Sequence, residues 1–245
     1  MEVEGIIVID SDVTNFFPWL KANLIKQPLS IDDKVIERGA PITIWAREKF
    51  AISLPPVLAD NIKKSCDIIS ELPLPVRMSE KSRFLLGVKP YWDDIQNNIP
   101  IKKEIEGDLI EDINIWINSK KKPSINLLLG AAGYGKTTVM MQAAYDISKI
   151  TELVVLWVKQ TSIFDPTPIS EFCQSIKSPV IIFIDDASKH MFSIKRLYLD
   201  AVENKLSLYI FAASRPSEWN SARGVGSISI QSLWNLPRLT EKEGN

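Results

Sequence analysis

The sequence predicts an α/β fold in which helices cover both faces of a mostly parallel β-sheet. Strand-like apolar runs recur after residue 104, and segments with helical composition separate several of them. A glycine-rich loop also joins the first of these runs directly to a helical segment. The predicted strands are 125–129, 153–158, 180–184, 206–212 and, with the least apolar signal, 227–230; the predicted helices between them are 136–149 and 188–204.

The region before residue 100 has a different character, because prolines divide it into short apolar pieces. They stand at positions 18, 28, 41, 55, 56, 73, 75, 90 and 100, and proline disfavours long helices. Two segments differ from this irregular background. Residues 59–72 place Ile62, Cys66 and Ile69 at the spacing of an amphipathic helix. Residues 5–10, "GIIVID", are typical of a buried parallel strand, either a remnant of an upstream domain or an edge strand of the C-terminal domain.

A further helix is predicted just before the first strand of the regular part. It begins near Glu104, and the polar, basic stretch "NSKKKP" ends it before Pro123. Six apolar side chains mark one face, which we expect to pack on the sheet: Ile105, Leu109, Ile110, Ile113, Trp116 and Ile117.

Composition excludes several classes of protein. The 29 Lys and Arg residues nearly balance 30 Asp and Glu residues, so no global field favours nucleic acid or an anionic membrane. No uncharged run reaches the ~18 residues of a membrane span, and residues 1–4 are acidic where a signal peptide is basic. We therefore expect a cytoplasmic protein. Cys66, Cys173 and the single histidine, His190, support neither a disulfide framework nor a Cys/His metal site.

The loop after the first predicted strand matches the phosphate-binding pattern G-x-x-x-x-G-K-[ST]. Its glycines permit positive φ and let backbone N–H groups close around phosphate oxygens, and the following helix adds a positive N-terminal dipole. Lys136 is expected to reach the β- and γ-phosphates and Thr137 to bind Mg²⁺. The alternative is a glycine-rich turn without a ligand. The predicted nucleotide-binding residues are Gly130, Ala131, Ala132, Gly133, Tyr134, Gly135, Lys136, Thr137 and Thr138.

Two aspartates end the apolar run "PVIIFIDD", where adjacent charges are costly unless a cation or water is present. In a sheet with a phosphate loop this is the place of the Walker B strand. Asp185 is then expected to hold Mg²⁺ and Asp186 to orient or polarise the attacking water. Many hydrolysing enzymes of this type carry Glu at the second position, so the shorter Asp186 predicts slow hydrolysis.

The run "LYIFAASR" ends in an arginine. A side chain at the carboxyl end of a parallel strand lies on the side where ligands bind. Arg215 is therefore predicted to sense the γ-phosphate or to pair with an acid of the nucleotide site, with a surface ion pair as the alternative.

The order of "GAAGYGKTT", "IIFIDD" and "ASR" resembles the STAND class of P-loop NTPases, signalling ATPases related to AAA+ proteins. Asp185-Asp186 match the double acid and Ser214-Arg215 match the Thr/Ser-Arg pair of that class. "FLLGVKPYWDDI" and "SRPSEWN" further resemble a bacterial subgroup found behind sirtuin-like domains in phage-defence proteins.

The resemblance implies a five-stranded sheet in the order 5-1-4-3-2, ATP or ADP with Mg²⁺ as ligands, and homo-oligomers of the full-length protein. It implies an adenine pocket lined by some of Trp92, Ile95, Ile99 and Ile101. It also divides the chain into three segments. Residues 1–83 are a junction or linker, or the end of an upstream Rossmann-like effector; residues 84–236 are the NTPase core; and residues 237–245 are the start of a truncated helical lid. Downstream sensor domains are expected beyond it.

Three other functions are alternatives to such a signalling ATPase. A non-catalytic oligomerisation module that binds nucleotide without hydrolysing it agrees with the shorter acid at Asp186. A DNA motor of AAA+ or helicase type is disfavoured by the neutral charge, although residues 120–122 form a small basic patch. A GTPase is disfavoured because no N-K-x-D guanine signature is present.

Overall fold

The structure is a computed structural model that describes residues 42–45, 51–75, 83–119, 121–150, 153–160, 164–176, 178–222 and 229–238. Its strands are β1 (Ile42–Trp45), β2 (Ala51–Leu54), β3 (Cys66–Ile68), β4 (Ser124–Leu129), β5 (Val154–Val158), β6 (Val180–Ile184), β7 (Leu208–Ser214) and β8 (Ser232–Asn235). Its α-helices are α1 (Pro56–Ser65), α2 (Trp92–Gln96), α3 (Glu104–Asn118), α4 (Lys136–Ile150), α5 (Thr167–Ser175), α6 (Met191–Glu203) and α7 (Pro216–Ala222). Short 3-10 helices lie at Ile69–Glu71, Arg83–Leu86 and Ala187–His190.

A six-stranded sheet with the order β3-β5-β6-β7-β4-β8 organises the fold, and β1 and β2 form a separate antiparallel pair. The five strands from β4 to β8 pair in parallel, whereas β3 runs antiparallel to β5. The α/β class is confirmed. With β8 as the fifth strand, the parallel strands follow the expected order 5-1-4-3-2; the described part of the sheet differs in having a sixth strand, β3, at its edge.

The additional strand, β3, corrects the predicted helix over 59–72. Helix α1 ends at Ser65, and Cys66 pairs with Val158 while Ile68 pairs with Leu156. Cys66 and Ile68 are buried and Asp67 between them is only half-buried, which is the two-residue period of a strand. The apolar positions 62, 66 and 69 also fit a helical period, so the spacing alone did not distinguish the two structures.

The last strand lies later in the chain than predicted. Residues 229–230 carry no regular structure, and β8 occupies Ser232–Asn235, parallel to β4. Because β8 is an edge strand, its side chains alternate between half-buried and exposed. The alternating segment at 227–230 gives the same signal, so its pattern did not determine which residues pair.

Two further predictions fall partly or wholly on residues that are not described. The predicted strand at 5–10 lies outside the described residues, as do residues 239–245 of the predicted lid. Pro237 and Arg238, where the lid was expected to begin, are described without regular structure.

Helices pack on both faces of the sheet, as predicted. One apolar cluster combines α1, α5 and α6 with side chains such as Ile182. The other combines α2, α3 and α4 with the neighbouring side chains Ile181 and Phe183. On α3, Leu109, Ile113 and Trp116 are buried, while the other three predicted positions are partly buried. The central strands are therefore covered on both sides.

Residues assigned to the N-terminal junction contribute to this core. Leu54, Leu58, Ala59 and Ile62 belong to the same buried cluster as the sheet, and β3 adds a strand to it. The three-segment division with boundaries at 84 and 237 stays a prediction. In the described parts of the chain, no helix has both the length and the apolar character needed to cross a membrane.

A buried carboxyl group lies where α3 packs against α4. The side chain of Glu106 is only 3% exposed, and Lys102 Nζ lies 3.3 Å from its Oε1 atom while also pairing with Asp146 on α4. Burial raises the pKa of Glu106 to about 7, although the nearby Lys102 charge lowers it. The folded chain thus keeps a proton on Glu106 that the unfolded chain releases near pH 4.5.

This difference predicts a pH-dependent stability. The contribution of Glu106 is fully present below about pH 4.5 and is lost as the pH rises through about 7, because the folded state binds the extra proton. Glu106→Gln cannot ionise. Between roughly pH 5 and pH 8, we expect the parent to lose on the order of 2 kcal/mol of unfolding free energy relative to this variant.

Urea unfolding at both pH values measures this difference. Glu111→Gln, at an exposed position of the same helix, is the control and is expected to follow the parent. A Glu106→Gln effect that is the same at both pH values would contradict the assignment.

Candidate nucleotide-binding site

The predicted phosphate loop occupies residues 130–135 between β4 and α4. Gly133 and Gly135 have φ of +76° and +83°, which L side chains rarely adopt, and helix α4 begins immediately afterwards at Lys136. The strand before the loop is central, with Leu127 and Leu128 buried. The glycines thus turn the chain at the carboxyl edge of the sheet and direct it into a helix N-terminus.

The first residue of the loop is closely surrounded. A Cβ atom added at Gly130 would lie 3.1 Å from Leu236 Cβ and 3.2 Å from Lys136 Cγ. The amide of Leu236 donates to Leu129 O at 2.7 Å, which holds this neighbour in place. Gly130 therefore makes room both for the lysine and for the segment that follows β8.

The side chain of Lys136 folds back over the loop. Its Nζ atom donates to Gly130 O at 2.9 Å and to Ala131 O at 3.1 Å, and the residue is only 9% exposed. Burial lowers the pKa of this lysine, while the charge of Asp185 acts in the opposite direction. A cation held by loop carbonyls is positioned for an anionic group that enters the same loop.

Asp185 and Thr137, the two predicted magnesium ligands, are in direct contact. Thr137 Oγ1 donates to Asp185 Oδ2 at 2.7 Å, and Asp185 is 4% exposed. The backbone amide of Asp186 donates to the other oxygen, Oδ1, at 3.0 Å. Hydroxyl and carboxylate oxygens are the donors that Mg²⁺ prefers.

Asp186 has a left-handed backbone conformation, with φ 50° and ψ 42°. Its Oδ2 atom accepts a hydrogen bond from Lys189 Nζ at 2.8 Å. Burial raises the pKa of Asp186, but the hydrogen bond and charge of Lys189, together with the charges of Lys89 and Arg215, lower the pKa overall. Asp186 is therefore ionised at neutral pH and engaged by a lysine.

Arg215 follows β7, the strand between those that carry the loop and the two aspartates. Its Nη1 atom lies 3.1 Å from Glu218 Oε1, and the two side chains are 51% and 38% exposed. This contact is a surface ion pair, which is the alternative to γ-phosphate sensing that the sequence leaves open for Arg215. The charge of Arg215 nevertheless lowers the pKa of both Lys136 and Asp186, after the larger effects of burial and nearer groups.

Two residues that the sequence analysis missed join the site. Gln160 Nε2 donates to Asp185 Oδ2 at 2.7 Å, and Lys89 Nζ donates to Gln160 Oε1 at 2.7 Å. Gln160 lies two residues beyond β5, at the same sheet edge as Asp185 and Arg215. The rule that selected Arg215, a polar side chain just after a buried parallel strand, would also have selected Gln160.

The four predicted adenine-pocket residues have different surroundings. Trp92 packs edge-on against Trp157 with ring centroids 5.5 Å apart, and Ile95 is buried in the core. Ile101 is 55% exposed and Ile99 is half-buried. Their assignment to an adenine pocket stays a prediction.

The site as a whole fits a magnesium-bound nucleoside triphosphate. It combines a glycine loop at a helix N-terminus, a lysine held over that loop, and a buried hydroxyl and carboxylate pair. These groups are suited to binding phosphates and a hard divalent cation.

Comparisons with known proteins identify one family and several similar solved structures. The model of the family described as "Novel STAND NTPase 5" matches residues 82–226, more than half of the chain. No curated protein matches the chain. Among solved structures, C. elegans PCH-2 has 15% identity and a TM-score of 0.40, with 62% of this chain and 48% of that chain covered.

Two further structures are similar at low identity. A chain of the S. cerevisiae Hsp104:casein complex in its extended conformation has 11% identity and a TM-score of 0.48, with 74% of this chain and 31% of that one covered. A chain of the E. coli MS115-1 HORMA:CdnC:Trip13 complex has 12% identity and a TM-score of 0.41, with 64% and 74% covered. The chain spans about half the length of PCH-2 and about a third of the matched chain of the Hsp104:casein complex.

Glycine geometry predicts opposite effects for two Gly→Ala substitutions that both meet open space. Gly135→Ala forces alanine to φ +83°, and we expect it to destabilise the fold by about 1–2 kcal/mol. Gly107→Ala lies in α3, and we expect it to stabilise by about 0.5–1 kcal/mol because alanine favours helix. Urea unfolding measures both. A Gly135→Ala variant that is as stable as the parent, or more stable, would show that the loop backbone tolerates a side chain.

Proposed function

The chain belongs to the Novel STAND NTPase 5 family, and from this premise we propose that it is the ATP-binding core of a switch in which the bound nucleotide controls oligomerisation. One observation carries the proposal: Lys136 over the glycine loop and the Thr137–Asp185 pair lie together at one edge of the sheet. Family membership supports nucleotide binding. The residue roles and the switch are proposals.

In this proposal the loop holds the phosphates through backbone N–H groups and the Lys136 ammonium. Thr137 and Asp185 hold the magnesium ion, which neutralises phosphate charge when it is bound. The buried position of Asp185 supports this role, because a carboxylate that is 4% exposed gains most from a nearby cation.

Asp186 is proposed to orient the attacking water, with slow turnover. The carboxylate of Asp186 is ionised, as a proton acceptor has to be. Its Oδ2 atom, however, accepts a hydrogen bond from Lys189 Nζ at 2.8 Å. Breaking that pair is a cost that precedes each hydrolysis. Together with the short side chain of Asp186, it supports a switch that stays in its ATP state for a long time.

The γ-phosphate is proposed to control the switch through Arg215. A ligand shifts a conformational equilibrium only by its different affinity for the two states. Arg215 lies at the end of the strand between the loop and the aspartates, and its partner Glu218 is on the surface. An exchange of Glu218 for the γ-phosphate would distinguish ATP from ADP.

The resemblance to phage-defence proteins extends the proposal to the complete protein. On the basis of that resemblance we propose upstream effector domains, downstream sensor domains and a homo-oligomeric active state, together with the cytoplasmic location that the composition predicts. The sedimentation of the full-length protein with ATP and with ADP tests the oligomerisation: a single species in both would contradict the switch.

A second function has a specific observation in its favour. The Asp186–Lys189 pair also agrees with a module that binds nucleotide tightly without hydrolysing it. A single-turnover experiment distinguishes the two functions, because only the ATPase switch hydrolyses the bound ATP.

Loss of the loop lysine predicts loss of nucleotide binding. We expect Lys136→Ala to weaken the affinity for a fluorescent ATP analogue at least 100-fold, because both the charge and the contact with the phosphates disappear. Equilibrium titration with Mg²⁺ measures the affinity. Lys64→Ala, an exposed lysine of α1, is the control and should bind like the parent. An unchanged affinity in Lys136→Ala would overturn the assignment of the loop.

Asp186 is expected to determine the rate of the chemical step. Under single-turnover conditions, Asp186→Asn should hydrolyse ATP at least tenfold more slowly than the parent, because the amide is a poor proton acceptor. Lys189→Met removes the engaging lysine and should be at least as fast as the parent. If Asp186→Asn and the parent are equally fast, Asp186 is not catalytic; if neither hydrolyses ATP, the non-catalytic module is correct.

A further inference from the structure

We propose that Gln160 is a positioning residue for the Asp185 carboxylate and that, through Lys89, it couples this carboxylate to the segment that precedes the sheet. The proposal rests on the proposed function, since it assumes that Asp185 and Thr137 take part in magnesium and nucleotide binding. It extends the nucleotide site to Gln160 and Lys89, which lie outside the phosphate loop and the paired aspartates.

Gln160 completes the hydrogen bonding of Asp185. The Oδ2 atom accepts from Gln160 Nε2 and from Thr137 Oγ1, each at 2.7 Å. The Oδ1 atom accepts from the amide of Asp186 at 3.0 Å. Three donors from three places in the chain therefore fix the plane of one carboxylate. Such outer partners orient metal ligands, and their loss typically weakens metal affinity about 10–100-fold.

Lys89 holds the other end of the Gln160 amide. Its Nζ atom donates to Gln160 Oε1 at 2.7 Å. An amide whose oxygen accepts from Lys89 presents its nitrogen to Asp185, so the lysine determines which end of the amide faces the carboxylate. The two hydrogen bonds from Lys89 through Gln160 to Asp185 thus run in one direction, and each strengthens the other by polarising the Gln160 amide.

Trp92, three residues after Lys89, anchors this segment to β3 and β5. Its Nε1 atom donates to Asp67 Oδ2 of β3 at 3.0 Å, and its ring packs on Trp157 of β5. Before these anchors, the side chain of Leu86, the last residue of the 3-10 helix Arg83–Leu86, is 81% exposed, and that of Val88 is 42% exposed. A change in the Gln160 amide is therefore transmitted to a short, surface-exposed stretch of backbone.

If Lys89 acted only through its charge, its removal would have an effect on magnesium affinity opposite to the one that the positioning role predicts. A nearby cation repels Mg²⁺, so its removal would strengthen magnesium binding if charge were its whole contribution. This term is small, because Lys89 is exposed and solvent and salt screen its charge. The positioning role predicts weaker binding after its removal. The sign of the effect thus separates the two accounts.

A double-mutant cycle tests the coupling. The magnesium dependence of the affinity for a fluorescent ADP analogue is measured for the parent, Lys89→Met, Gln160→Met and the double variant, with Lys64→Met as a matched surface control. We expect the apparent magnesium affinity to fall about threefold in Lys89→Met and about tenfold in Gln160→Met. Apart from the small direct effect of the Lys89 charge, the double variant should equal Gln160→Met, because Lys89 positions Asp185 only through Gln160. Lys64→Met should equal the parent.

Hydrogen exchange gives a second readout that is independent of affinity. With saturating nucleotide, addition of Mg²⁺ is expected to change the protection of backbone amides in residues 84–91 in the parent and in Lys64→Met, and to leave them unchanged in Gln160→Met. Gln160 and Lys89 are both exposed, so neither substitution removes a core contact.

Each outcome has a defined meaning. Tighter magnesium binding in Lys89→Met, or independent effects that multiply in the double variant, would overturn the coupling while leaving the proposed function intact. A parent that binds the nucleotide equally with and without Mg²⁺ would overturn the magnesium site itself, and the positioning role with it.

Discussion

Burial of the central strands on both faces is the constraint on which the site depends. Every residue of β5, β6 and β7 is buried, so these strands have no face on which a polar side chain can meet water. Polar chemistry is therefore confined to their ends. Asp185 and Ser214 stand at such ends, and Lys136 begins the helix that leaves the neighbouring strand. The same burial that stabilises the sheet thus concentrates charge at a single edge.

Strand order then decides which charges meet. The loop follows β4 and the aspartates follow β6, and β7 separates these two strands and carries Arg215 at its end. Gln160 extends the arrangement across β5, so that a line of hydrogen bonds crosses the carboxyl edge from Thr137 through Asp185 to Lys89. Residues far apart in sequence belong to one electrostatic unit because the sheet is parallel.

Features with a local cause could be predicted from the sequence, whereas those set by tertiary contacts could not. The glycine loop requires particular residues at fixed spacing, and Asp185 follows a long apolar run, so both were predicted at the correct positions in the fold. The three-residue strand β3 was missed because positions 62, 66 and 69 fit a helix equally well. Gln160 belongs to no motif, and its contact with Asp185 exists only once β5 and β6 are paired. The roles of the site residues stay predictions.

The segment that leaves the sheet after β8 limits the space around Gly130. The backbone at Leu236 is fastened to Leu129, and the Lys103 ammonium holds the carbonyl of the next residue, Pro237, at 3.0 Å. A Cβ atom added at Gly130 would lie 3.1 Å from Leu236 Cβ, so the exit of the chain from the sheet leaves little space for a side chain at the first glycine of the loop. Because both hydrogen bonds hold the exit segment in place, a side chain added at position 130 would disturb the phosphate loop and the exit segment together.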